Sequence, residues 1–228
     1  MISSIVPTVY MVVNLILSLF VPKSCKPIAL TFDDGPQYPF TPTVLQILKQ
    51  RHVPATFFLI GEHVEKYPEL VKQIIHDGNE IGNHTYDHPD LATLSKDQLW
   101  REIEMTNNAI EKVTNNKNVL FRPPYGSQNK YLKEAEAAFH LQEIDWSIDP
   151  VNWSDPKPLV SIDAIMSQAA PKSIVLLHDG IEDHPKIDHD LMDGVDKLPE
   201  IITRLRSKGY CFSTVSNLNT ADVCRKCQ

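Results

Sequence analysis

The chain of 228 residues carries no internal repeat and no low-complexity run, which excludes solenoid and fibrous architectures and points to a single globular domain. It has no surplus of basic charge either: 22 Lys and Arg stand against 29 Asp and Glu, a formal charge of −7. That balance disfavours a polyanionic partner, so nucleic acid is not expected, and a neutral or cationic partner fits better.

Charge is also missing from the beginning of the chain, where none appears before Lys23. Ile5 to Val21 is nearly all apolar but is broken by Pro7, Thr8, Asn14 and Ser18, so it is too short and too marred for a spanning helix of ~20 apolar residues. Residues 1–24 read as a signal peptide, and residues 25–228 as the domain itself. No basic residue precedes the apolar stretch, and cutting after Ser24 leaves Pro22 in a poor position. An uncleaved N-terminal anchor is therefore the alternative, and a buried strand the least favoured reading. Cysteine is scarce: Cys25, Cys211, Cys224 and Cys227. An even number behind an apolar leader reads as two disulfides in an oxidising compartment, with three connectivities open. A zinc site built on Cys224 and Cys227 lacks a second pair. A secreted protein, extracellular or in the cell wall, is the expectation.

Apolar runs of strand character alternate with helical stretches. Strands are expected at Pro27–Phe32, Ala55–Ile60, Glu80–Gly82, Asn118–Phe121, Gln142–Trp146, Ser173–Leu177 and Tyr210–Val215. Helices are expected at Pro42–Gln50, Glu69–His76, Ser95–Val113 (with Ser95 as cap), around Lys130–Ala138, and at Val195–Lys208. Such alternation predicts an α/β fold with a parallel sheet or a βα barrel, whose site lies at the carboxyl ends of the strands.

Five polar clusters sit just after those strands. Thr31-Phe32-Asp33-Asp34-Gly35-Pro36 places two carboxylates side by side at a strand end, where they need a compensating positive charge; alone, it reads as a turn. His84-Thr85-Tyr86-Asp87-His88 spaces two imidazoles four apart, on one face of an expected helical turn, where both reach one metal ion. With a carboxylate from the first cluster this gives two imidazoles and one carboxylate with an open position, the set of zinc hydrolases and of non-haem iron oxygenases. Phe121-Arg122-Pro123-Pro124-Tyr125-Gly126 is stiffened by two prolines and can present Arg122 and backbone amides rigidly. Asp149-Pro150-Val151-Asn152-Trp153 and Leu176-Leu177-His178-Asp179 complete the set, with His178 a candidate acid or base at a strand end.

In this order the five segments resemble the polysaccharide deacetylases with the NodB homology domain (carbohydrate esterase family 4), over about Lys26 to Leu218. The stretch TPTVLQILKQRHVPATFFLIG is similar as well. The resemblance implies a distorted (β/α) barrel in one domain and a metal-dependent hydrolase that removes acetyl groups from N-acetylglucosamine residues. The polymer it implies is chitin or chitooligosaccharides, because cysteines near both ends resemble secreted fungal-type members; peptidoglycan is the alternative. Asp34, His84 and His88 would hold the metal, Zn2+ first and Co2+ or another divalent ion second. Asp33 would be the general base, Arg122 its orienting partner, Tyr125 N–H an oxyanion donor and His178 the general acid. Trp153 and Leu176 would enclose the acetyl methyl. A monomer is expected, acting on an N-acetylglucosamine-containing polysaccharide.

One position departs from the family pattern. Asn152 stands where a second acidic residue usually partners the acid histidine; it can accept a hydrogen bond from His178 but brings no charge. Reduced activity or an acid-shifted optimum is one consequence, and a catalytically weak glycan-binding relative is the second reading. An iron oxygenase is a distant third, because it leaves the base–arginine pair unused. A barrel brings first and last strands together, so Cys25 is expected to pair with Cys224 or Cys227. Asn83-His84-Thr85 and Asn152-Trp153-Ser154 match a glycosylation acceptor pattern but fall inside the site and are expected to be unmodified. His184 and His189, in the acidic loop 181–190, read as solvated rather than as further ligands.

Overall fold

The computed structural model describes residues 25–155, 159–180 and 190–220. Residues 1–24, expected to be a signal peptide or anchor, and Cys224, Cys227, His184 and His189 lie outside them.

Seven parallel strands form one sheet. They are β1 (Lys26–Asp33), β2 (Thr56–Leu59), β3 (Glu80–Asn83), β4 (Leu120–Phe121), β5 (Gln142–Glu143), β6 (Ile174–His178) and β7 (Tyr210–Phe212). The helices are α1 (Phe40–Arg51), α2 (Gly61–Lys66), α3 (Pro68–His76), α4 (Lys96–Thr114), α5 (Leu132–Phe139), α6 (Ile162–Gln168) and α7 (Asp190–Ser207). The strand order is β5-β4-β3-β2-β1-β6, with β7 beside the start of β1. A bridge between Ile148 and Val175 brings the segment after β5 back to β6 and curls the sheet into the expected distorted barrel. The short helices α2 and α6 were not legible as periodic segments.

Alternation along β1 decides which residues meet chemistry. Ile28, Leu30 and Phe32 join the core under the helices, with Val44, Leu45 and Leu48 of α1 and Leu198, Ile201 and Leu205 of α7. Ala29 faces the other way, into a smaller cluster with Phe58, Leu120 and Ile144. By the period of two, Thr31 and Asp33 share that concave side with Ala29. The 19-residue helix α4 begins with a capping box: Ser95 N–H donates to Gln98 Oε1 (2.9 Å) while Gln98 N–H reaches Ser95 Oγ (3.4 Å).

The disulfide pairing differs from expectation: Cys25 is bonded to Cys211, with Cα atoms 5.7 Å apart. The cause is register. Strand β7 pairs with β1 at Lys26↔Tyr210 and Pro27↔Cys211, so Cys211 lies beside the residue preceding β1 before the chain runs on to its remaining cysteines.

Candidate active site

Asp34, His84 and His88 offer ligand atoms that all lie within 4.8 Å of one another, and all three residues are buried. His84 Nε2 is 3.5 Å and His88 Nε2 3.3 Å from Asp34 Oδ1. The carbonyl of Arg122 accepts from His84 Nδ1–H at 2.7 Å, which leaves the Nε2 lone pair for a cation. The two histidines do not lie on a helical turn, as their spacing suggested. They sit in a loop after β3 with left-handed φ at Thr85 (70°) and His88 (60°). The loop is held by its amides: Asn83 Oδ1 accepts from Thr85 N–H (2.8 Å), and Glu102 Oε2, on α4, accepts from Tyr86 N–H (2.8 Å) and Asp87 N–H (3.2 Å).

Arg122 is the largest fully buried side chain, at 0% exposure. Its Nη1 donates to Asp33 Oδ1 (2.7 Å) and Thr31 Oγ1 (2.8 Å), its Nε to the Ile144 carbonyl (2.9 Å) and its Nη2 to the Asp145 carbonyl (3.1 Å). The guanidinium lies over the Phe58 ring, 4.0 Å from its centroid. Burial pulls its pKa down and Asp33 pulls it back up, yet a guanidinium starts so high that it stays a cation. The second oxygen of Asp33 is 3.6 Å from His84 Nε2, so the carboxylate spans arginine and histidine loop.

His178 ends β6 in register with Asp33, and Leu176 shares its face, in register with Thr31. The Trp153 ring stands edge to face with His178 at 5.7 Å. Asp149 places that ring: Oδ2 accepts from Trp153 Nε1 (2.8 Å) and Oδ1 from Val151 N–H (3.0 Å). Asn152 does not partner His178. Its Oδ1 closes a turn on Ser154 N–H (3.3 Å) and the residue is exposed, because the tryptophan occupies the space beside the imidazole. Tyr125 has φ 58°, a strained conformation for a non-glycine residue, and its ring packs on His88 at 4.7 Å.

Sequence reading quoted Asp179 beside His178 without giving it a role, and missed Thr41 and His63. Asp179 is fully buried, with Oδ2 2.5 Å from Thr41 Oγ1. Burial, reinforced by the charges of Asp34 and Asp33, pushes its carboxyl up to about 8, against the pull of Thr41 and the Gly35 amide. His63 Nδ1–H donates to the Asp34 carbonyl at 2.8 Å. The only local signal was the Asp-Gly that follows His178.

The donor set fits a divalent cation. Burial opposes ionisation of Asp34, but the facing imidazoles of His84, His88 and His178 outweigh it, holding this carboxyl well below the usual carboxylate range. Asp34 Oδ1 is buried with no hydrogen-bond partner. The Asp33 and Asp34 carboxylates lie beside one guanidinium, that of Arg122, and a divalent cation at the Asp-His-His group would offset their remaining charge.

A parallel α/β barrel with an Asp-His-His cation site at the carboxyl ends of its strands, beside an arginine-bound carboxylate, is the frame of a metal-dependent hydrolase. The profile of the polysaccharide deacetylase family matches residues 21–144, and the chain belongs to that family, carbohydrate esterase family 4 with its NodB homology domain. A peptidoglycan-N-acetylglucosamine deacetylase of Bacillus cereus is 37% identical over 86% of this chain and 70% of its own length. A chitooligosaccharide deacetylase of Sinorhizobium fredii is 36% identical over 82% and 88%. The solved structure of peptidoglycan deacetylase PdaC from Bacillus subtilis superposes with a TM-score of 0.75 at 35% identity, covering 89% of this chain and 94% of that one. The protein is a polysaccharide deacetylase.

Proposed function

We propose that the protein is an exported Zn2+ enzyme that hydrolyses the acetamide of N-acetylglucosamine units in chitin-type oligosaccharides. The observation that carries this reading is the buried Asp33–Arg122 pair set against Asp34, His84 and His88. An amide is a poor electrophile with a poor leaving group, so it needs carbonyl polarisation, an activated water and a proton donor. Asp34, His84 and His88 would hold a divalent cation, which would supply Lewis acidity toward the carbonyl and the attacking water.

The chain's own residues do the rest. Asp33, aimed by Arg122, takes a proton from the water that attacks the acetyl carbon. Tyr125 N–H donates to the oxygen that gains negative charge. His178 gives a proton to the sugar nitrogen as the C–N bond breaks, so acetate and a free amine leave. Trp153 and Leu176 supply the apolar wall for the methyl group. The disulfide Cys25–Cys211 supports export, since such bonds persist in oxidising compartments.

Peptidoglycan is the second reading, favoured by the Bacillus cereus relative and by the likeness to PdaC. Acetate release from chitooligosaccharides and from peptidoglycan, assayed side by side with added Zn2+, separates the two. Faster turnover of chitooligosaccharides is expected. Folded, Zn2+-loaded protein that releases no acetate from either overturns the catalytic reading and leaves a glycan-binding relative.

A further inference from the structure

The Asp33-Asp34-Gly35 turn carries both the base and a metal ligand, and it is wedged from the side of β6. The Asp179 amide donates to the Asp33 carbonyl at 3.0 Å, one step past the Asp33↔His178 pair. The Asp179 carboxyl then packs directly on the Gly35 α-carbon, where any β-carbon would collide with it. Gly180 comes as close to the Asp34 carbonyl, so a β-carbon there would overlap Asp34 and Gly35. Thr41, in the first turn of α1, holds the other side of the acid: its Oγ1 donates to Asp179 Oδ2 at 2.5 Å, lies 3.2 Å from the Asp179 carbonyl, and accepts from Gln37 N–H at 2.8 Å. Both Thr41 and Asp179 are shut off from solvent.

This wedge meets a residue that needs one. Asp34 has φ 71°, a left-handed conformation that an L-residue leaves unless its surroundings hold it. Its Oδ1 faces the two histidines only while that conformation lasts. Asp179 Oδ1 is buried with no hydrogen-bond partner, a cost that a well-packed apolar residue would avoid. An apolar side chain, however, has no flat acceptor edge to lie on Gly35 while meeting Thr41.

We propose that Asp179, braced by Thr41, is the positioning residue for Asp34: it holds the metal ligand in its left-handed conformation and so sets cation affinity without touching the cation. The inference rests on Asp34 being a metal ligand, as in the function proposed above. Its test is Zn2+ affinity of the full-length protein, by competition with a chromophoric chelator, alongside thermal melts of chelated protein. Asp179→Ala should weaken Zn2+ by tenfold or more, in the range seen when supporting partners of metal ligands are lost. Thr41→Val should weaken it by a smaller factor. Asp179→Asn, which keeps shape and an acceptor for Thr41, should restore affinity to within about threefold of wild type.

A purely structural role would lower the melting temperature of chelated protein and leave Zn2+ affinity unchanged. Wild-type affinity in folded Asp179→Ala overturns the proposal, and so does an Asn variant as weak as the Ala variant. Should Asp179→Ala not fold, wild-type affinity in Thr41→Val overturns it. His84→Ala is the control: if it too binds Zn2+ normally, the metal site itself has been misassigned.

Discussion

Arg122 Nη1 donates to Asp33 Oδ1 at 2.7 Å, and both side chains are buried. A charge pair in such a place is held by geometry as much as by attraction: three further hydrogen bonds and the Phe58 face fix the guanidinium that meets the carboxylate. Truncating Arg122 leaves Asp33 as a buried anion without its partner. Arg122→Ala is expected to lose about 3–5 kcal/mol of stability in denaturant unfolding, with acetate release falling below detection. Arg122→Lys should rescue little, because an ammonium cannot meet four acceptors in one plane. Near-wild-type stability of Arg122→Ala would show that Asp33 is protonated in the folded protein.

Removing the cation exposes the remaining negative charge. Chelation should abolish acetate release, and Zn2+ or Co2+ should restore it. The melting temperature should rise with free Zn2+ concentration in wild type, because an ion that binds only the folded state stabilises it by mass action. His88→Ala should lose that dependence. Full activity of metal-free protein would refute the mechanism.

Asp179 predicts a pH dependence with a definite sign. Its folded-state pKa is raised from 3.8 to about 8, so between those values the folded state holds a proton that the unfolded state has released. The stabilisation is complete below about 4 and is lost as pH rises toward 8. In chelated protein, wild type should therefore lose stability relative to Asp179→Asn across that window. Parallel curves for the two proteins, read as melting temperature against pH, would show Asp179 to be ionised throughout.

The position of Asn152 revises what the family pattern suggests for it. Because its side chain turns onto Ser154 and Trp153 stands beside His178, Asn152→Asp should leave the alkaline limb of the pH–rate profile within about 0.3 unit of wild type, as for an exposed, screened charge. Asp149→Asn should act more strongly, by loosening the Trp153 indole held at 2.8 Å. An upward shift of a full unit in Asn152→Asp would place that side chain against His178 after all.

The disulfide links residues 186 apart in sequence. Mass spectrometry of native protein should find the Cys25–Cys211 peptide pair, and Cys25→Ser should lower stability by about 2–4 kcal/mol. A Cys25–Cys224 or Cys25–Cys227 peptide would overturn the β1–β7 register.

What the sequence by itself determined is whatever short-range pattern controls. Period-two alternation put Asp33 on the concave side of β1, Ser95 began α4, and each polar cluster followed a strand, so Asp34, His84, His88, Arg122 and His178 could be picked out before any contact was known. Tertiary structure alone decided the rest. The histidine spacing is common to a helical turn and to a loop, and it was Glu102, from a distant helix, that stabilised the loop by binding its amides. Asn152 turned outward because Asp149 had already seated Trp153 against His178. Cys25 met Cys211 because β7 took its register from β1. The carboxyl of Asp179, an ordinary acid in the chain, became a neutral wedge only when β6, α1 and the Asp33–Gly35 turn closed over it, since desolvation and facing charges exist only after folding.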